Sequence, residues 1–328
     1  MENLTAIITS HPAFEATTRH TVVALKTMQS LSKGSFALGS IVLGWYLNRW
    51  ANDRALNSNN APAVFDWNKE IVVVTGGSGG IGAEIVKSLA ARGINVIVLD
   101  VLPLTYTKGA KMHYYKCDLT NFDELQSIAA RIRKDVGEPT ITIANAGICR
   151  GKPILAASKE DIDLTFGVNN LALLWTAKTF IPSMVNKNHG HFLIVASQTG
   201  YTCSPGLTDY SATKSAAIAI YEGLHGEIRR IHKADSVRVS CVSPGPVDTK
   251  MFNGIKLGPG IASLNPETLG KKIADIVCGG RAKNIFIPAW AGLTVWMRAM
   301  PDWVRVGMQG FSTGIFSQLK PHNPMEGK

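Results

Sequence analysis

The stretch Ile71-Val-Val-Val-Thr-Gly-Gly-Ser-Gly-Gly-Ile-Gly82 decides the fold. Ile71–Thr75 is a short β-branched run that reads as a buried strand. The glycines follow at once, and Ile81–Arg92 then has the apolar spacing of a helix. A lone glycine motif is weak evidence. Here a strand precedes it, a helix follows, and the next strand, Asn95–Asp100, ends on an acid. Gly76, Gly80 and Gly82 can take backbone angles that a Cβ forbids, and they let the chain approach a pyrophosphate closely. Ser78 and Ile81 lie in the same loop and are read as contacts of the same ligand. The start of the helix offers free N–H groups and a positive dipole end to that anion. The bland alternative is a glycine turn that binds nothing.

Asp100 stands where an acid can accept hydrogen bonds from the adenosine ribose and repel a 2′-phosphate. No Arg or Lys sits beside it or inside the glycine loop, so NAD(H) is favoured over NADP(H). A strand-end Asp that only caps a turn is the alternative.

The alternation continues outward. His113–Lys116, Thr140–Asn145, His191–Ser197 and Val237–Val242 read as strands. Phe122–Val136, a long segment Ile162–Val185, and Asp209–Ile231 read as helices. Near-continuous apolar strands separated by helices imply an α/β fold, a doubly wound parallel sheet of Rossmann type covered on both faces. The expected boundaries are residues 1–66 for an N-terminal apolar segment with a linker, 67–288 for the dinucleotide-binding catalytic domain, and 289–328 for a C-terminal helical extension.

Both ends differ from this core. Between Lys33 and Arg49 lie 15 uncharged residues with Trp45, Tyr46 and Trp50 at one end. A spanning helix needs about 17 to 25 apolar residues, so the stretch reads as a borderline membrane anchor; an extra helix packed on the domain is the alternative. Asn52–Ala63 has the composition of a linker. Ala289–Phe316 carries Trp290, Trp296, Trp303, Phe311 and Phe316 with Met297, Met300 and Met308, interleaved with Arg298 and Arg305. It reads as a substrate lid or a second membrane-contact helix, with a core-completing helix pair or a subunit interface as the alternative.

Composition narrows the partners. The net charge of +10 is spread without a run of basic residues or a stripe interleaved with aromatics, which argues against nucleic acid. Attraction to an anionic membrane surface fits, as does a plain solvated basic surface. The five cysteines form neither a CxxC pair nor a zinc spacing, so no metal site is expected and a reducing compartment is favoured.

The reacting groups are read from Tyr210 and Lys214, which share one helix face. A phenol ordinarily titrates near pH 10. A nearby ammonium and an oxidised nicotinamide both favour the phenolate, so the Tyr210 pKa is expected to fall toward working pH. Ser197 lies at the carboxyl end of its strand, where ligands bind in such sheets, and it can donate to a substrate oxygen. A surface Tyr–Lys pair and a capping serine are the bland readings.

Taken in order, Thr75–Gly82, Asp118, Asn145-Ala-Gly147, Asn169, Ser197, Tyr210-Ser-Ala-Thr-Lys214 and Pro244-Gly245 resemble the motifs of the short-chain dehydrogenase/reductase superfamily. The resemblance covers about residues 66 to 288. It implies that Tyr210 is the acid/base, that Lys214 lowers its pKa and binds the nicotinamide ribose, and that Ser197 orients the substrate oxygen. It further implies that Asn169 holds a water linking Lys214 to solvent. Asp118 is implied at the adenine, Asn145 as support beside the cofactor, Val247 and Thr249 at the nicotinamide amide, and Leu119 and Pro244 among the other cofactor contacts.

CDLTNFDEL, GKPIL, VNNLALLWTAKTFIPSM and KNHGHFLIVAS are more narrowly similar to the membrane-associated branch with retinol and 17β-hydroxysteroid dehydrogenases. That likeness implies a lipophilic alcohol or carbonyl as substrate. It also implies attachment to the endoplasmic reticulum or a lipid droplet with the catalytic domain facing the cytosol, and it leaves a homodimer open. Ala172, where glycine is frequent, and Ser204-Pro205-Gly206 depart from the pattern. The latter run lies where substrate preference is set. The rival class is a non-catalytic NAD(H)-binding scaffold or redox sensor, since fold alone never proves function.

Overall fold

A computed structural model describes residues 33–58, 60–255, 257, 262–316 and 319. The chain divides into two units, with the boundary between Ala55 and Leu56. In the first, helix α1 (Lys33–Leu56) contains the whole uncharged stretch read from the sequence. Leu38, Ile41, Trp45, Tyr46, Leu47 and Trp50 are exposed on it. The Arg54 guanidinium lies 4.4 Å from the Trp50 ring centre, and that of Arg49 lies 5.4 Å from Trp45. Among the described residues no helix is long and apolar enough to cross a membrane.

The second unit is built on a seven-stranded, all-parallel sheet in the order β3-β2-β1-β4-β5-β6-β7. Its strands are β1 (Ile71–Thr75), β2 (Asn95–Asp100), β3 (Met112–Lys116), β4 (Ile141–Ala144), β5 (His191–Val195), β6 (Arg238–Pro244) and β7 (Asn284–Ile287). Alternate residues feed two cores. Ile71, Val73, Ile97 and Leu99 pack on one face with Ile132 and Phe180; Val72, Val74, Val96 and Val98 pack on the other with Ile85, Leu89 and Ile273. The first core lies under α3 (Phe122–Asp135), α5 (Ala172–Lys187) and α6 (Thr208–Arg230), and the second under α2 (Gly80–Ala90) and α7 (Pro266–Cys278). The strand order reverses between β1 and β4, so the crevice outside their carboxyl ends is the expected ligand position.

Three local readings differ from the sequence expectation. The long helix expected over 162–185 is two helices, α4 (Lys159–Phe166) and α5, joined by a wider π-helical turn, Gly167–Leu171. The expected strand His191–Ser197 ends at Val195. Asn52–Leu56 continue α1, and Asn57 and Ala61 of the expected linker are bonded to residues at the start of β6 and just before β7. Asn57 exchanges hydrogen bonds with Ala282, and Arg238 donates to the carbonyls of Asn57 and Ala61. The buried Arg238 guanidinium needs those acceptors, which holds the segment down.

The extension is a 3-10 segment, Ala289–Ala299, and helix α8 (Asp302–Phe316). Ala291 and Met297 are buried, whereas Trp290, Leu293, Trp296, Trp303, Val306 and Met308 are exposed.

Candidate active site

The glycine loop turns from β1 into α2, and its glycines do different work. A Cβ on Gly82 would lie 2.0 Å from the Gly76 carbonyl oxygen, and one on Gly76 would lie 2.8 Å from Ala146 Cα. These two glycines serve chain-on-chain packing. Gly79 and Gly80 instead leave open space: a Cβ would find nothing nearer than Thr105 at 4.0 Å and Thr249 at 3.7 Å. The N-cap of α2, Gly79, has no side-chain cap, and its first turn holds no acid. Free N–H groups beside an open concavity fit a pyrophosphate.

A clip from the loop after β2 holds that turn. Asp100 accepts from the Ser78 N–H at 2.9 Å through one carboxylate oxygen and from Leu102 N–H at 3.0 Å through the other. Ser78 is buried and donates its hydroxyl to the Leu102 carbonyl at 2.7 Å, so this side chain fixes the loop. Thr105 Oγ1 donates to the Ser78 carbonyl at 2.6 Å, and the Tyr106 hydroxyl donates to Gly77 O at 2.8 Å. Thr105 and Tyr106 carried no signal in the sequence, because only the folded loop brings them back. Asp100 is half-buried and each oxygen keeps a further lone pair, so it fits ribose hydroxyls.

On the β4 side, Thr75 Oγ1 accepts from the N–H groups of both Asn145 and Ala146 at 3.0 Å, while Asn145 Nδ2 donates to Thr75 O at 3.0 Å and Gly76 O at 3.2 Å. Asn145 therefore ties the glycine loop to β4. Asp118 is exposed just beyond β3 and accepts from the Thr120 N–H at 2.9 Å through one oxygen. Pro244 ends β6; past it, Val247 is buried, and Thr249 faces Gly80. Ile81 is half-buried in the first turn of α2 and packs against the second core.

The reacting side chains converge at the mouth between β4 and β5. Tyr210 and Lys214 lie on the buried face of α6. The Ser197 side chain lies beside the Tyr210 phenol, and its hydroxyl accepts from Thr199 Oγ1 at 2.9 Å. Burial by itself pushes the Tyr210 phenol above its ordinary value, and the Ser197 side chain offsets part of that rise. Lys214 spends its ammonium elsewhere, donating to Val195 O at 3.0 Å, with Nζ 5.8 Å from the Tyr210 ring centre. Burial lowers Lys214 to about 8.

Asn169 sits in the π-helical turn, a feature frequent at functional sites. Its Oδ1 accepts from Ile148 N–H at 2.8 Å; its Nδ2 donates to Ile148 O and to Thr213 Oγ1, both at 2.9 Å. Asn169, Lys214, Leu119 and Val195 share the lining of a small cavity. It has room for about one water. Leu119 thus lines this cavity. Two further residues near the phenol were missed. The Cys149 thiol is raised to about 12 by burial, and Asp209 has a buried carboxylate oxygen without a hydrogen-bond partner among the described residues.

The extension grips the loop after Ser197. Arg298 donates to Gly200 O at 2.9 Å, Tyr201 O at 3.2 Å and Ser215 Oγ at 2.8 Å, and Gln309 donates to Cys203 O at 3.2 Å. Among the described residues no group of His, Cys, Asp and Glu is arranged to hold a metal ion.

The family described as short chain dehydrogenase matches residues 70–259. Dehydrogenase RED2 of Cochliobolus heterostrophus is 36% identical over 210 residues, 63% of this chain and 79% of that protein. Estradiol 17-beta-dehydrogenase 11 of Rattus norvegicus is 32% identical over 244 residues, 71% of this chain and 80% of its own. Among solved structures, a short chain dehydrogenase from Burkholderia cenocepacia in complex with NADP superposes with a TM-score of 0.60 at 25% identity, over 73% of this chain and 96% of the other.

Proposed function

Since the chain belongs to the short-chain dehydrogenase family, we propose that it is an NAD(H)-dependent oxidoreductase that interconverts a lipophilic alcohol and its carbonyl, with Tyr210 as the acid/base. The observation that carries this reading is the buried Tyr210 phenol with the Ser197 side chain beside it and Lys214 one helical turn away. A bound nicotinamide supplies or takes up the hydride.

The chain's own residues do the rest. Ser197 donates to the substrate oxygen and holds it beside the phenol. Tyr210 gives its proton to that oxygen in reduction and takes it back in oxidation; oxidation needs the phenolate, which burial alone disfavours. Lys214 supplies a positive charge nearby, and the cavity that Lys214 and Asn169 line has room for one water to relay the proton. Gly79, Gly80 and the start of α2 hold the pyrophosphate. Asp100 takes the adenosine ribose, and its charge excludes a 2′-phosphate, which favours NAD(H). Val247 and Thr249 adjoin the nicotinamide end, and Asp118 adjoins the adenine.

A lipophilic substrate is supported by the estradiol-dehydrogenase relative and by the apolar surroundings of Tyr210. Association with a membrane surface, at the endoplasmic reticulum or lipid droplets with the catalytic unit on the cytosolic side, is supported by the exposed Trp45 and Trp50 of α1 and Trp290, Trp296 and Trp303 of the extension. Turnover of 2-decanol with NAD+, compared between wild type and Tyr210→Phe, tests the assignment. The variant should bind NADH within a few-fold of wild type and show no turnover; retained turnover refutes the role of Tyr210.

A further inference from the structure

Leu319 stands in the notch that Gly151 leaves open. A Cβ on Gly151, whose φ is +64°, would lie 2.6 Å from Leu319 Cδ2. Leu319 is buried in one apolar cluster with Cys149, Leu207 and Tyr210, and Phe252 packs against it. The Phe252 ring meets the Tyr210 ring edge-on, with centres 5.8 Å apart. The loop that carries Gly151 is anchored, because Arg150 and Lys152 donate to the two oxygens of Asp161 at 2.7 and 2.6 Å. A side chain far along the chain therefore completes the wall around the proposed acid/base. Tyr210 itself is only 4% exposed. A substrate whose hydrocarbon body lies on this side of Tyr210 packs against these same side chains.

We propose that Leu319 is a specificity-determining residue: with Cys149, Leu207 and Phe252 it walls an aliphatic slot beside Tyr210, and its isobutyl group sets the width of that slot. This rests on Tyr210 being the acid/base. Gly151 provides the space for Leu319, so the wall is closed by fitted packing and cannot yield to a wider substrate without losing that contact. The slot accepts an unbranched chain next to the carbinol carbon and rejects a fused ring there. One methylene of pocket volume is worth roughly 10- to 200-fold in discrimination, so truncating an isobutyl group has a readable effect.

Two measurements on the full-length protein, Leu319→Ala and Leu319→Met test it. The first is the rate of N-ethylmaleimide labelling at Cys149, mapped by mass spectrometry, with buried Cys241 as the internal control. Leu319→Ala should label Cys149 at least about tenfold faster, Leu319→Met should match wild type, and Cys241 should stay slow in all three. Equal Cys149 rates overturn the wall, whether or not the enzyme turns over. The second is the ratio of kcat/KM for 2-decalol to that for 2-decanol. Leu319→Ala should raise it by at least about tenfold; an unchanged ratio overturns the substrate role. Fast labelling with no Tyr210-dependent turnover of either alcohol refutes the function proposed above, and the substrate role of Leu319 with it.

Discussion

Lys214 Nζ donates to the carbonyl oxygen of Val195 at 3.0 Å. The ammonium is thereby fixed to the end of β5, buried, and held at the mouth of the sheet. The bond orients the amine, while desolvation lowers its pKa from 10.5 to about 8.

A stability measurement against pH reads this directly. The folded chain releases the Lys214 proton near pH 8, and the unfolded chain near 10.5. Between these values the unfolded chain holds more protons, so this group makes stability rise with pH across that window. Below it, the full cost of burying the ammonium is present. The stability of wild type minus that of Lys214→Met should therefore increase by about 3 kcal/mol between pH 7 and pH 10.5. Denaturant unfolding at the two pH values checks it. A flat difference means that Lys214 is not a desolvated ammonium.

The glycine loop separates packing from binding. Gly82→Ala drives a Cβ to 2.0 Å from Gly76 O and 2.7 Å from Asn145 Nδ2, so backbone must move. It should cost more than about 3 kcal/mol or prevent folding. Gly79→Ala meets no atom nearer than 4.0 Å, and its backbone is extended. It should melt within a degree or two of wild type yet weaken NADH binding by about tenfold, because the methyl enters the open concavity. Thermal melts and NADH fluorescence titrations distinguish the two effects.

The strands were legible because both cores draw on alternate residues of uninterrupted apolar runs, as at Ile71–Thr75 and Asn95–Asp100. The same holds for Tyr210 and Lys214, whose spacing alone puts them on one helix face. Helix α7 also carries local signals, with Asn265 as cap, Pro266 in the first turn, and Leu269, Ile273 and Val277 buried four apart. What spacing cannot carry is desolvation and loop closure. Periodicity puts Lys214 near Tyr210 but says nothing of Val195 as its acceptor. Nor does any local pattern bring Tyr106 back to Gly77, Arg298 to Gly200, or Leu319 to Gly151.

Asp100 has two tasks, and a substitution series separates them. As an acceptor it braces Ser78 and Leu102; as a charge it opposes a 2′-phosphate. Asp100→Asn keeps one acceptor oxygen and removes the charge. It should narrow the kcat/KM preference for NADH over NADPH by at least about tenfold and lower the melting temperature modestly, since one of the two N–H groups loses its acceptor. Asp100→Ala should narrow it similarly and lower the melting temperature further, since two part-buried N–H groups lose their acceptor. A wild type that already prefers NADPH ends the cofactor argument.

Arg298 ties the extension to the loop that follows Ser197. Its three acceptors, Gly200 O, Tyr201 O and Ser215 Oγ, lie on the loop and on α6, so the guanidinium fastens both to the 3-10 segment. The fork geometry is specific to arginine. Arg298→Lys keeps the charge but cannot reach three acceptors at once. If the extension positions the substrate side of the site, this variant should raise KM for 2-decanol by about five- to tenfold while kcat and NADH affinity move less than twofold. A purely structural tie would instead lower the melting temperature and leave KM where it was. An equal fall in kcat with unchanged KM would mean that the loop acts on Ser197 in the transition state and not on substrate binding.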